Sequence, residues 1–206
     1  MKKTGENNKR GFTLVELIVV LVILAILAAI LIPALLGYID RARQRKDILN
    51  AKNCLTASQA EFTKMYSTRC DTDNSAVNGT VTTNSYGDIF LKDTALAKTV
   101  FDTADDEPYM FIVGLGDYNT FKDSNIHKAY TCYFAVYWGK KEEEPIFFNG
   151  SRWLNQYPWA SDGNNTFNIN GEQTKLQFYI LSSPSSSAND TWTVLKNKVK
   201  DRVKTN

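Results

Sequence analysis

The fold is decided by residues 17–36, LIVVLVILAILAAILIPALL, a stretch without a charged side chain. At about 1.5 Å per residue it forms a helix of about 30 Å, the thickness of the hydrocarbon core of a bilayer. A core helix of a soluble protein is rarely apolar on every face over such a length. The apolar region of a secretory signal is typically shorter, about 7–15 residues, and ends in a small-residue cleavage site that is missing here. The stretch therefore predicts a membrane-spanning helix.

The composition is that of a folded protein. The 206 residues carry a formal net charge of +2 and are 43% hydrophobic, which excludes a disordered chain, a collagen-like repeat and a disulfide-dense miniprotein. Residues 1–11 hold four basic groups and one acidic group, so the rest of the chain is close to neutral. A near-neutral body gives no general electrostatic reason to expect nucleic-acid contact.

The orientation in the membrane follows from the size of the downstream region. Both flanks of the apolar stretch are basic, since Arg41, Arg43, Arg45 and Lys46 follow it, and the positive charges alone do not decide. A long downstream domain is translocated largely regardless of the nearest charges. We therefore expect the N-terminal leader in the cytoplasm and residues 40–206 outside.

Beyond the apolar stretch the pattern changes to that of a half-exposed helix. No glycine or proline occurs between Tyr38 and Tyr66, so the helix is predicted to run from about Thr13 to about Tyr66. One face of its second half carries an apolar stripe, which must pack on the rest of the chain. The stripe consists of Ile48, Ala51, Leu55, Ser58, Phe62 and Met65.

The remaining residues predict a sheet. Positions 67–107 are polar and rich in turn residues, with one helical turn near Leu91–Thr99. The tail Thr191–Lys204 has helical spacing behind a cap at Asp190. Short polar turns between the strands favour an antiparallel meander, and the fold class is α+β. The predicted strands, rich in β-branched and aromatic residues, are Tyr109–Val113, Tyr130–Trp138, Pro145–Phe148 and Leu176–Leu181.

The junction between leader and helix reads Lys9-Arg10-Gly11-Phe12-Thr13-Leu14-Val15-Glu16, and it resembles the start of a type IV prepilin. Prepilins are subunits of bacterial type IV pili and related pseudopilus machines. The resemblance implies cleavage between Gly11 and Phe12 by a membrane aspartic peptidase, the prepilin peptidase, and N-methylation of the new terminal Phe12. It also implies three parts: a cleaved leader (1–11), an apolar transmembrane and filament-core half of the helix (12–39), and an extracellular pilin head (40–206).

Two residues of the apolar helix are candidates for a role in assembly. Glu16 places a carboxylate one turn inside an apolar helix, and an ionisable group in a membrane is expensive unless it is paired. After cleavage the amine of Phe12, in the same chain at i,i+4 or in a neighbouring subunit, is a possible partner; a carboxylate that merely reaches the headgroups is the alternative. Resemblance to pilins implies the intersubunit role.

Pro33 is the second candidate. It removes the hydrogen bond to the carbonyl of Ala29, which kinks or loosens the helix. A harmless kink of a membrane helix is one interpretation. In pilins this region can lose helicity within the filament, and the resemblance implies such a role here.

No catalytic constellation, cofactor site or metal site is predicted, and the chain is not expected to be an enzyme. The single histidine, His127, lies in a polar loop without a nucleophile or acid beside it. The run Asp71, Asp73, Ser75 begins like a calcium loop, but Ala76 and Thr82 occupy its glycine and closing-glutamate positions. Calcium binding by a head cluster remains an alternative; that cluster is Asp102, Asp105, Asp106 and Glu107.

The three cysteines Cys54, Cys70 and Cys132 would lie outside the membrane, where disulfides form. An odd number permits at most one intrachain pair, in any of three ways. Among the three pairings we favour a Cys70–Cys132 disulfide between the long connection and the sheet. The aromatic segment with Trp153, Tyr157 and Trp159 either covers the core or forms an exposed adhesive face.

These features together predict a structural subunit of a type IV pilus, held in the cytoplasmic (inner) membrane as a single-pass protein and then polymerised into a surface filament. Its partners would be other pilin subunits, the prepilin peptidase, and the assembly platform with its ATPase. A minor pilin or pseudopilin of a type II secretion or DNA-uptake system shares every N-terminal feature. A pilus-displayed adhesin is a further alternative.

Overall fold

The computed structural model describes residues 12–68, 82–83, 87–156, 166–169 and 172–200, and the structural statements below concern these residues. The chain divides after Lys46 into two compact units. This division falls a few residues beyond the 39/40 boundary that the sequence predicts between apolar helix and head. The boundary of an independently folding head stays a prediction.

The first helix, α1, spans Leu14–Thr68 and confirms the long helix predicted from the pattern. Pro33 lies inside α1 without ending it. A β carbon added at Gly37 would meet no atom within 4 Å, so close packing does not require a glycine at this position. The helix buries Ala51, Cys54, Ala57, Ser58 and Phe62 in the head.

The head contains three further α-helices and a short 3-10 helix in its described part. Their bounds are α2 Ala95–Ala104, α3 Tyr118–Phe121, the 3-10 helix Ile126–Tyr130 and α4 Ala188–Val199. The strands are β1 Thr82–Thr83, β2 Ile89–Phe90, β3 Met110–Gly116, β4 Cys132–Trp138, β5 Ile146–Phe148, β6 Trp153–Leu154, β7 Thr166–Ile169 and β8 Glu172–Ser182.

The strands form a sheet of order β1-β2-β8-β3-β4-β5-β6, and β7 pairs with β8. Strands β3 to β6 are the antiparallel meander that the short turns predict. The prediction is wrong for β8, which lies between β2 and β3 and pairs with β2 in parallel. The reason is burial: Leu176 and Phe178–Leu181 of β8 are all at most 1% exposed, as suits a central strand. The two-residue, half-buried β6 remains at the edge.

Both faces of the sheet are covered, because alternate residues of each strand enter different apolar clusters. From β3, Phe111, Val113 and Leu115 pack with α1 and α2, whereas Met110 and Ile112 pack with α4. Every residue of β3 is buried. The sheet is thus the middle of three layers, with α1 and α2 on one side and α4 on the other.

Two helices differ in their bounds from the prediction. The single turn predicted near Leu91–Thr99 is a ten-residue helix, α2, whose N-cap Thr94 accepts a hydrogen bond from Ala97 N at 3.2 Å. The cap of α4 is Ser187 instead of Asp190, and Asp190 N donates to Ser187 Oγ at 3.2 Å. Because Ser187 Oγ also donates to Asp190 Oδ2 at 2.8 Å, the acid supports the cap from the first turn of the helix.

A single glutamine joins α1 to the start of β4. Gln59 Nε2 donates to the Tyr130 carbonyl at 2.9 Å, and Gln59 Oε1 accepts from Cys132 N at 2.8 Å. The side-chain amide thereby satisfies a carbonyl and an N–H at the start of β4, which would otherwise have to find other partners. It fixes the position of the helix along the sheet.

We expect Gly116→Ala to destabilise the head strongly. A β carbon at Gly116 would overlap the Lys128 carbonyl oxygen and lie 2.8 Å from its carbonyl carbon, and backbone cannot yield as a side chain can. Overpacking of this kind costs about 3 kcal/mol. Thermal unfolding of the full-length protein in detergent measures the effect.

Gly139→Ala is the matched control. Its added carbon would come within 2.8 Å of Glu143 Oε2, the end of a flexible side chain that can move away. Equal losses of stability in the two variants would show that the approach of Lys128 to β3 is not the constraint we describe.

Candidate processing and assembly site

The start of α1 is closed by a reciprocal pair of residues, Thr13 and Glu16. The Thr13 backbone N–H donates to Glu16 Oε2 at 2.9 Å, and the Thr13 hydroxyl donates to the same oxygen at 2.7 Å. In return, Glu16 N donates to Thr13 Oγ1 at 3.3 Å. This is a capping box, in which a threonine cap and a glutamate three residues later satisfy each other's backbone donors.

The predicted cleavage position lies directly before this box. Phe12 is 83% exposed and precedes the helix, whereas Gly11 lies outside the described residues. In the uncleaved chain the Phe12 nitrogen is part of a peptide bond and carries no charge. The structure therefore leaves the expected pairing of Glu16 with a Phe12 amine as a prediction, and it adds Thr13 as the partner of Glu16 before cleavage.

The apolar side chains in the first half of α1 are exposed. Each large apolar side chain from Leu14 to Leu36 is 46–72% exposed. The helix is long and apolar enough to cross a membrane, and none of its apolar stretch is buried against other residues. In water, such a surface would be strongly unfavourable, so it requires lipid or other protein around it.

Comparison with known protein families agrees with the geometry at this end of the chain. Residues 7–32 match the family model of the prokaryotic N-terminal methylation motif. The chain carries the type IV prepilin signature. The motif supports a type IV pilin-like or pseudopilin protein and implies processing by a prepilin peptidase. No curated protein and no solved structure matches the chain.

Pro33 lies within the part of α1 that follows the motif. The helix continues through it to Thr68, so the lost hydrogen bond does not end the helix in the single chain. Whether this region loses helicity in a filament stays a prediction.

Helix α1 is hydrogen-bonded to the rest of the head through a partly buried carboxylate, that of Asp106, which follows α2. Asp106 accepts hydrogen bonds from Tyr137 OH at 2.7 Å and from Asn50 Nδ2 at 3.2 Å. The Cys54 thiol lies 3.9 Å from the same carboxylate and donates to it. Helix α1, the segment after α2 and strand β4 thus meet at one acceptor.

The surroundings change the titration of two of these donors. Burial, and then the charge of Asp106, raise the pKa of the Cys54 thiol to about 12. Burial and the hydrogen bond to Asp106 raise the pKa of the Tyr137 hydroxyl above its ordinary value. Both groups therefore stay protonated at neutral pH and serve as donors to the carboxylate.

Of the two cysteines in the predicted disulfide, only Cys132 lies within the described residues. Cys132 has a free thiol, and Cys70 lies outside the described residues, so the pairing stays a prediction.

The acidic cluster considered for calcium lines an open depression of about 400 Å³ beside Phe101. Its members are Asp102, Asp105, Asp106 and Glu107. Within the described ranges, no three His, Cys, Asp or Glu side chains converge as metal ligands would. The Asp71–Ser75 run lies outside those ranges, and His127 is exposed.

The aromatic segment divides between strand and undescribed chain. Trp153 begins β6 and is half-buried, and its ring lies 5.5 Å from that of Phe148. This contact favours the interpretation in which the segment covers the core. Tyr157 and Trp159 lie outside the described residues, so an adhesive face there is untested.

Sequence reasoning missed Thr13 and Asp106 as functional partners. For Thr13 a signal was present, since a threonine followed three residues later by a glutamate ahead of an apolar run marks a capping box. For Asp106 there was none, because Asn50, Cys54 and Tyr137 are far apart in sequence and only the fold brings them together.

We expect Asp106→Ala to lower the free energy of unfolding of the head by about 2–3 kcal/mol, because it leaves the buried Tyr137 hydroxyl without its charged acceptor. Tyr137→Phe should cost less, since it removes the donor together with its need for a partner. Chemical denaturation of the full-length protein in detergent measures both.

Asp102→Ala is the control, since Asp102 is an exposed acid of the same depression. If Asp102→Ala and Asp106→Ala have equal effects, the hydrogen bonds to Asp106 are not what fastens α1.

Proposed function

We propose that this protein is a structural subunit of a type IV pilus, cut by a prepilin peptidase and polymerised through its N-terminal helix. The observation that carries the proposal is the prepilin motif, which is directly followed by a helix with an exposed apolar surface. In a subunit of this kind, lipid surrounds that surface before assembly, and the helices of neighbouring subunits surround it in the filament.

Removal of the leader would change the chemistry at the start of α1. Cleavage between Gly11 and Phe12 turns the Phe12 nitrogen from a neutral amide into an amine, and methylation leaves that amine positive. The cation then lies beside the N-terminal end of a helix, where an anion stabilises it and the helix dipole alone does not. Glu16 is the acidic residue in the first turn of α1 and therefore the group suited to bind it.

Burial of the apolar helices supplies the cohesion of the proposed filament, but it gives no register. Apolar burial is non-directional and roughly proportional to the area removed from its surroundings. An ion pair between Glu16 of one subunit and Phe12 of the next is directional, so it would fix how far successive helices are displaced along the filament axis.

Intact-mass measurement tests the processing step. We expect protein from surface filaments of the native host to begin at Phe12 and to carry one methyl group on its amine. Filament protein that retains residues 1–11 would contradict the pilin proposal. Abundance in sheared filaments separates a main pilus subunit from a minor pilin or pseudopilin, which would be scarce there.

Glu16→Ala should leave cleavage and membrane insertion intact and abolish filaments. An ionised acid near the centre of a membrane helix is unfavourable by roughly 2.5–3.5 kcal/mol, and by less near the interface, so alanine does not impair insertion. The amine of an incoming subunit would then be buried without a partner, which is strongly unfavourable. The assay compares sheared filament yield with the membrane level of cleaved subunit.

Two further variants separate the charge from the capping role. Thr13→Ala breaks the capping box but keeps the carboxylate, so it should permit filaments. Glu61→Ala removes an acid from the head part of α1 and should also permit them. Equal loss of filaments in Thr13→Ala and Glu16→Ala would mean that Glu16 acts only as a cap.

A further inference from the structure

The turn between β5 and β6 holds groups that can react with each other without an enzyme. It consists of Asn149, Gly150, Ser151 and Arg152, and it closes with a hydrogen bond from Asn149 N to the Arg152 carbonyl at 3.2 Å. Gly150 has φ +89°, a conformation that a residue without a β carbon adopts freely. A two-residue hairpin loop with glycine first is typical of such a turn.

Three donors converge on one oxygen, the side-chain Oδ1 of Asn149. They are Ser151 N at 3.2 Å, Ser151 Oγ at 3.1 Å and Arg152 N at 3.0 Å. Because the donors belong to the second and third residues after Asn149, its side chain is folded over the peptide bond that links Asn149 to Gly150. The side-chain amide therefore lies over the stretch of backbone that contains the Gly150 nitrogen.

We propose that Asn149 is a site of self-modification, converted through a cyclic imide to aspartate and isoaspartate. The Gly150 nitrogen loses its proton and bonds to Cγ of Asn149, and the Cγ–Nδ2 bond breaks to release ammonia, which carries that proton away. Water then adds to one of the two imide carbonyls and opens the ring. Asparagine and water become aspartate or isoaspartate and ammonia, with no oxidation or reduction.

The three donors stabilise the intermediate of this reaction more than the starting amide. When the nitrogen attacks, Oδ1 changes from a neutral carbonyl oxygen to an oxyanion. Hydrogen bonds to a charged acceptor are roughly twice as strong as those to a neutral one. Donors already placed around a developing negative charge lower the barrier, as in an oxyanion hole. Ser151 and Arg152 are exposed, so water for the second step reaches the turn.

The two products have different consequences for the edge of the sheet. Aspartate keeps an acceptor for the same donors and adds a negative charge to the turn. Isoaspartate adds a carbon to the backbone, which is incompatible with the register in which Phe148 pairs with Trp153. The edge strand β6 would then lose its pairing, while the central strands are untouched.

The reaction at Asn149 can be followed separately from that at the other Asn-Gly dipeptides of the chain. Asn78-Gly79 and Asn170-Gly171 are the same dipeptide, and both lie outside the described residues. Trypsin cleaves after Lys141 and Arg152, so Asn149 is released in the peptide 142–152, in which it is the single asparagine. The other two dipeptides appear in separate peptides of the same digest.

The test is to incubate the full-length protein in detergent, in warm and mildly alkaline buffer, and to follow the peptide 142–152 by mass spectrometry. The product is recognised by the mass change of replacing an amide nitrogen and its hydrogen by oxygen, and isoaspartate by its separate elution. We expect Asn149 to react at least about fivefold faster in the folded protein than in the same chain unfolded in guanidinium, because one net hydrogen bond corresponds to about that factor. A synthetic peptide with the sequence of residues 142–152, followed in both solvents, corrects for the solvent change.

Ser151→Ala removes one of the three donors and should slow the reaction of the folded protein about fivefold, without effect on the unfolded chain. Ser151→Thr restores the hydroxyl and should react like the original protein. A folded rate equal to or below the unfolded rate would overturn the proposal, because the turn would then protect Asn149. An unchanged rate in Ser151→Ala would overturn it as well, since the donors would not act on the reaction.

Discussion

An exposed helix surface that is apolar on every side constrains the rest of this molecule. Apolar area exposed to water costs roughly 25 cal/mol per Å², and here almost every side chain over residues 14–36 contributes. The helix is apolar on all sides and long enough to span a bilayer, so a neighbour on one side would remove only part of that cost. The environment of the helix, lipid or other copies, is therefore part of its stable state.

The second half of α1 is subject to the opposite constraint, because it must remain attached to a sheet that is buried on both faces. The apolar stripe supplies adhesion, but an apolar stripe alone permits sliding. Two polar contacts give the position: Gln59 binds backbone groups on both sides of Thr131, and Asp106 gathers donors from α1 and β4. A partly buried polar contact tolerates little displacement, since a buried donor or acceptor that is left unsatisfied costs more than the bond itself contributes.

The long helix and most central strands could be predicted from local patterns. The stripe of α1 has a helical period, and β3 and β4 are continuous runs rich in apolar, aromatic and β-branched residues. The position of β8 could not be predicted from turn lengths, since it depends on which strand buries both faces best. The two-residue strands β1, β2 and β6 carry too few residues for any period, and they exist because neighbouring strands offer free edges.

The candidate site, too, could be predicted from the sequence only in part, and Glu16 shows why. A carboxylate inside an apolar run marks itself as functional from sequence alone, because its cost demands a partner. The identity of the partner is a geometric question. In the uncleaved chain Thr13 supplies both an N–H and a hydroxyl to Glu16 Oε2, so the carboxylate is already satisfied before any subunit meets another. Neutral donors bind a carboxylate less strongly than a cation does. Cleavage that creates a positive amine would therefore give Glu16 a better partner than Thr13. A precursor has no such amine, so it could not bind the Glu16 of a neighbouring subunit in this way. In our proposal, assembly thus depends on processing for an electrostatic reason: Thr13 satisfies the Glu16 carboxylate in the precursor, and a cleaved subunit supplies the cation that binds it more strongly.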